Sequence, residues 1–156
     1  MKIKDRLPQI IGRVTMVLRD AKTGRIKWRG VSSNMFVTAG KNSLADHLKG
    51  TTENNKGIIT YCALGTGTTA PALADIKLQT ELFRKLISVR SVSANVTTFE
   101  TFYTTAEGNG SLKEAGLFGD AASGTVDSGT LFCRVAINRT KSSNDTLSLS
   151  WSVTIA

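Results

Sequence analysis

The stretch ALGTGTTAP, residues 63–71, sets glycines 65 and 67 among hydroxyl side chains and closes on a proline. Glycine-rich loops cradle phosphates where their backbone amides converge. A Walker loop, however, needs Lys followed by Ser or Thr after its last glycine, and a dinucleotide fingerprint needs a third glycine opening a helix. Gly67 is followed by Thr-Thr-Ala-Pro-Ala. The stretch is therefore expected to turn the chain, with Gly65 and Gly67 supplying unusual backbone angles and Pro71 fixing the direction of the next segment.

The other chemistry-bearing residues form no constellation. His47 is the only histidine, Asp46 is its chain neighbour rather than an opposing partner, and no serine lies in a nucleophile elbow. Glu100, Glu107 and Glu114 are spread over separate strands and turns, so a general acid–base pair is neither indicated nor excluded. Cys62 and Cys133 lie far apart in the apolar runs YCAL and LFCRV and are expected to be buried free thiols. With one histidine, no Cys/His metal set can be assembled. The chain reads as non-enzymatic, with no metal and no cofactor.

Elements that would position these residues are legible in the patterning. A chain of 156 residues, 40% hydrophobic, has the size of one domain, and 14 glycines with abundant Ser and Thr favour short strands and turns. GRVTMVLRDAKTGRIKWRG holds two β-prone runs, residues 12–19 and 25–30, around a connection ending in Gly24, which reads as a hairpin. TAGKNSLADHLKG predicts one short helix, with Leu44, Ala45 and Leu48 on one face and Gly50 just past its end. TTENNKG, residues 51–57, reads as a loop and IITYCAL, residues 58–64, as a buried strand. Residues 75–87 predict a helical turn around Leu78 and Leu82, then a strand through Leu86, Val89 and Val92. Further strands, VTTFETFYTT, LKEAGLF and GTLFCRVAI, are separated by EGNG and GDAASGTVDSG. In TLSLSWSVTI, Leu147, Leu149, Trp151, Val153 and Ile155 alternate with hydroxyl side chains. Leu131, Cys133, Val135 and Ile137 are the residues expected to face them. The expected fold is mostly β: an antiparallel β-sandwich over residues 34–156, with one short helix, preceded by a basic arm and protruding N-terminal hairpin over residues 1–33.

Charge points to a partner. The net charge is +8, and residues 1–50 hold 11 basic against 3 acidic residues, which is again +8, while residues 51–156 hold 9 of each. Arg13, Arg19, Arg25, Lys27 and Arg29 are thus expected to face something negative. Only Trp28 lies among them, so the interleaved aromatics of a nucleic-acid site are missing and an acidic protein surface is the better partner. The opening MKIKDRLPQI lacks a signal peptide's apolar core, and no window approaches about 18 consecutive apolar residues, so a cytosolic origin and no membrane partner are expected.

ALGTGTTAP, LQTELFRK, GNGSLKEAGLF, the cysteine-bearing strand and the terminal DTLSLSWSVTI together resemble a group of small tailed-bacteriophage structural proteins, often labelled tail-fibre-like. The resemblance covers most of the chain from about residue 34, and the hairpin with TAGKNSLADHL fits the group's usual opening. It implies a virion component made in the host cytoplasm. Together with the charge it gives the expected function: a homo-oligomeric part that docks repeatedly on acidic surfaces of other virion proteins, in the tail, baseplate or fibre attachment. The alternatives are a decoration (cement) protein reinforcing the capsid and, third, a nucleic-acid-binding protein.

Overall fold

Residues 145–155 put four apolar side chains on one face of a strand and hydroxyls on the other, and the whole fold is arranged around covering that apolar face. The computed structural model describes residues 9–50 and 56–156. Among these the strands are β1 (Ile10–Asp20), β2 (Ile26–Phe36), β3 (Ile59–Gly65), β4 (Glu81–Leu86), β5 (Val89–Ser93), β6 (Val96–Tyr103), β7 (Gly110–Gly119), β8 (Thr130–Lys141) and β9 (Asp145–Ile155), with one helix, α1 (Thr38–Leu48). The expected arm before residue 9 and most of the expected loop at 51–57 lie outside the described residues.

The strands are antiparallel in the order β4-β3-β7-β8-β2-β1-β9-β6-β5. β4 and β5 stand at opposite ends of that order, yet only Ile87 and Ser88 separate them in the chain, so the sheet curls until its ends meet. The crossing is hydrogen-bonded on both sides: Ile87 N donates to Thr60 O and Ser88 N to Glu100 O. At the opposite corner β2 pairs with β1 over most of its length and with β8 only at Met35 and Phe36. Two layers result, β2-β1-β9-β6-β5 facing β4-β3-β7-β8, the antiparallel sandwich the patterning predicts.

Val14, Met16 and Leu18 of β1, Leu147, Leu149 and Trp151 of β9 and Phe99 and Tyr103 of β6 bury against Leu64, Leu117, Cys133, Val135 and Ile137 of the other layer. Ile155 is the exception on β9 and stays 55% exposed at the strand end. Leu131 does not join this core. The register passes from Leu117↔Cys133 to Phe118↔Leu131, so Phe132 is an extra residue on β8. That bulge turns Leu131 to the outer side of its layer, where it packs with Val37, Ala63, Leu78 and Phe118.

Three further expectations change. The hairpin does not protrude: β1 is paired residue for residue with β9 from Ile10↔Ile155 to Asp20↔Asp145, and β2 runs unbroken through residue 33. α1 exists, but it buries Gly40 and Ser43 rather than an apolar stripe, and Leu48 is 82% exposed. Its approach to β8 is so close that a Cβ on Gly40 would lie 2.6 Å from Phe132 Cα. The predicted helical turn around Leu78 is absent, and residues 75–80 cross the outer face of β3 and β7 irregularly, with Leu78 buried beneath them. Cys62 and Cys133 are both buried, and Leu117 lies between them in register, which places them about 10 Å apart, beyond disulfide reach.

Candidate functional site

The loop leaving β3 does gather backbone amides around an anion, but the anion belongs to the chain itself. Glu114 of β7, 1% exposed, turns its carboxylate under ALGTGTTAP. Its Oε1 accepts from Gly67 N at 3.0 Å and Thr80 N at 2.8 Å, and its Oε2 from Gln79 N at 3.0 Å. Arg134 of β8, 2% exposed, completes the shell with Nε at 2.9 Å and Nη2 at 2.8 Å from Oε2. The same guanidinium donates to Asp75 Oδ2 at 2.6 Å and to Thr69 O at 2.9 Å, which ties down the far half of the loop.

This explains the glycines differently from the expected unusual angles. Neither Gly65 nor Gly67 has a positive φ. A Cβ on Gly65 would lie 2.6 Å from Thr80 O and 2.7 Å from Glu114 Oε1, and one on Gly67 2.4 Å from both Gln79 Cβ and Glu114 Oε1, so what excludes a side chain is the close approach of the carboxylate and of the segment at 79–80. The stretch turns the chain, and the site usually offered to a phosphate is filled from within.

Other carboxylates are similarly committed. Glu81 is held by Arg84, whose guanidinium lies 4.5 Å over the Phe118 ring and donates to Ser123 O and Ser128 O, fixing the loop between β7 and β8. Glu107 pairs with Lys85 and caps Thr104 N, and both contacts hold its carboxyl below the usual range. Asp120 accepts from Ser43 Oγ and Gly57 N, joining α1 to the end of β7, and Asp127 pairs with Lys77. The solitary His47 has its Nδ1 2.6 Å from Lys56 O, with no carboxylate opposing it among the described residues. Among the described residues no group of three or more His, Cys, Asp or Glu could hold a metal ion.

The predicted basic residues reach different ends. Arg13, Arg19, Arg25, Lys27 and Arg29 are all exposed. Register places Arg13, Arg19 and Arg29 on the outward face of the β2-β1-β9-β6-β5 layer, since their neighbours Gly12, Val14, Met16 and Leu18 face the core. They cover roughly 20 Å along the strands. The rows beside them carry Thr146, Ser148, Ser150 and Ser152 of β9, then Thr98, Glu100 and Phe102 of β6. Glu100 is the one carboxylate among these outward rows. Arg25 sits at the hairpin turn, and Arg19 Nη1 donates to Gly24 O there. Lys27 leaves the set: the register shift at Leu18/Arg19 frees it to pair with Asp145 Oδ1 at 2.6 Å. Burial pushes the Asp145 carboxyl up, but Lys27 and the hydroxyl and amide of Ser142 outweigh it and hold it at about 2.

Sequence reasoning notes Glu114 without its role and passes over Arg134. The available signal is a charge inside each of two otherwise apolar β runs, LKEAGLF and LFCRVAI, which implies that the charges meet. Compared with protein-family models, curated proteins and solved structures, the chain finds no significant match.

Proposed function

We propose that the protein is a non-enzymatic structural component of a tailed-bacteriophage virion. It docks in repeated, symmetry-related copies onto acidic surfaces of tail, baseplate or fibre proteins through the outward face of β1 and β2. One observation carries this reading: Arg13, Arg19 and Arg29 stand exposed on one sheet face, with Glu100 the one carboxylate beside them among the described residues, while the carboxylates of the opposite layer are spent inside the fold. The motif resemblance supports the virion setting, and the internal use of ALGTGTTAP supports a non-catalytic role.

A second reading, decoration of the head shell, is favoured by the pairing of β1 with β9 along its whole length. β1 is built into the sheet, so the basic residues present a broad surface suited to lying on a shell rather than a hairpin reaching into a socket.

Exposed ion pairs contribute about 0–1 kcal/mol each, so three together reach about 2 kcal/mol, a loss of roughly thirtyfold in affinity. Arg13→Ser, Arg19→Ser and Arg29→Ser combined should leave the melting temperature within a few degrees of the parent, in line with the small effect of exposed substitutions, and should lower incorporation into particles. Unchanged incorporation would sink the proposal. Tight, steeply salt-dependent binding of a random DNA duplex at about 0.15 M salt would replace it with nucleic-acid binding. Copy number per purified particle separates the two virion readings, several hundred indicating the shell and a few dozen the tail, as the symmetry of each assembly requires.

A further inference from the structure

The curled sheet closes at Ile87–Ser88 and then comes apart. Beyond that crossing β5 pairs only with β6 among the described residues, and all five of its residues, Val89–Ser93, are exposed. Opposite it, Gly57 and Ile58 precede β3. Between these two margins lies a cavity of about 380 Å³, walled by Phe36, Phe99, Phe132, Ile10 and Val153. Its lips are apolar as well: Val92 is 73%, Ile155 55% and Ile58 38% exposed. An end strand with open backbone groups beside an apolar cavity is the arrangement that accepts an added strand, whose main chain pairs with the edge while alternate side chains enter the cavity.

We propose that the edge of β5 and this cavity form a docking site for an extended segment of a different protein whose every second residue faces the cavity, apolar at these positions except for a carboxylate opposite Arg90. Arg90 specifies the charge. Among the described residues it is the one charged side chain in the cavity lining, it stands opposite the inward-facing Phe99 of β6, and no carboxylate lies within ion-pair distance of it. Edge-to-edge pairing with a second copy of β5 suits the site poorly, because it would bring a second Arg90 to the same edge. The site is separate from the outward basic face: Arg90 and Val92 follow the core-facing rows of their layer, whereas Arg13 and Arg29 follow the outward rows. Its test is therefore independent of the virion proposal.

The probe is the blocked peptide acetyl-Thr-Val-Thr-Glu-Thr-Val-Thr-amide, whose Val, Glu and Val share one strand face, titrated into the isotopically labelled full chain and followed by amide shifts. Saturable shifts at Val89–Ser93 and around Phe99 and Val153 are expected, with binding at least about tenfold weaker for a peptide of the same composition without alternation and for one with Lys in place of Glu. Arg90→Glu lies at an exposed position, so the fold should persist in the same spectra and the preference between the Glu and Lys peptides should reverse. Absence of shifts at β5 with every probe overturns the proposal, as do shifts confined to the Arg13–Arg29 face. Preferential binding of acetyl-MKIKDRLP-amide would assign the site to this chain's own N-terminal residues and overturn it too.

Discussion

Glu114→Gln tests whether the buried carboxylate organises the loop. The substitution is nearly isosteric, so any loss comes from charge and hydrogen bonding rather than from a cavity. Oε1 serves Gly67 N and Thr80 N, and Oε2 serves Gln79 N and Arg134. Whichever way the amide is placed, its NH2 meets at least two donors, and at least one buried N–H loses its acceptor at a cost of about 1–3 kcal/mol. Breaking a buried pair by removing one partner costs about 3–5 kcal/mol, reduced here because Arg134 keeps Asp75 and Thr69 O. The expected loss is therefore about 4 kcal/mol, which should move the urea midpoint by roughly 2 M in unfolding followed by the fluorescence of Trp28 and Trp151. Arg134→Met should cost less, about 2 kcal/mol, because three backbone amides continue to hold the carboxylate. A loss below about 1 kcal/mol for Glu114→Gln, or a larger loss for Arg134→Met, would refute the reasoning.

The same physics makes other outcomes checkable. Gly67→Ala, at an ordinary φ, places a methyl 2.4 Å from Glu114 Oε1 and should cost about 2 kcal/mol or more by urea unfolding, whereas Gly24→Ala at φ +72° meets nothing within 4 Å and should cost only about 1 kcal/mol. Trp151→Ala deletes a fully buried ring between Val14 and Phe99 and should cost about 3–5 kcal/mol, seen as loss of the folded circular dichroism signal; a folded variant with altered light scattering would instead mean that an oligomer contact covers the ring. Asp145 titrates at about 2 in the folded chain against the usual 3.8, so it contributes stability above about pH 4 that is lost as the pH falls towards 2. Asp145→Asn should accordingly be less stable than the parent at pH 6, with the gap between their urea midpoints closing near pH 2; a gap independent of pH would discard the Lys27–Asp145 assignment.

Patterns with a period of two are readable because they are local. β9 needs only its own alternation to declare which side is buried, and the hairpin needs only two β-prone runs and Gly24. What the sequence does not reveal depends on residues far along the chain. Gly67 meets Glu114 across 47 positions, and Glu114 meets Arg134 across 20, so neither the reason for the glycine nor the fate of the charges can be inferred from the loop. Leu131 keeps perfect alternation with Cys133 in sequence, and only the pairing with β7 shows where the extra residue falls. The helix face departs from its pattern for a related reason. A backbone-close packing at Gly40 leaves no room for a leucine stripe, and nothing within TAGKNSLADHL records how near β8 will lie.

Charge segregation along the chain becomes charge segregation in space. Residues 51–156 are neutral by composition, with 9 basic and 9 acidic residues, and the fold realises much of that neutrality as pairs: Arg134 with Glu114 and Asp75, Arg84 with Glu81, Lys85 with Glu107, Lys56 with Asp120, Lys77 with Asp127. Among the described residues of the N-terminal third, only Lys27 reaches across to use one of those acids, Asp145. Because the carboxylates are taken up where loops must be pinned, few remain to screen the opposite layer, and the positive charge of β1 and β2 is left on its outward face. The same ion pairs that fix ALGTGTTAP and the loop between β7 and β8 thus account for the strength of the basic face, which the proposed docking of acidic partners uses.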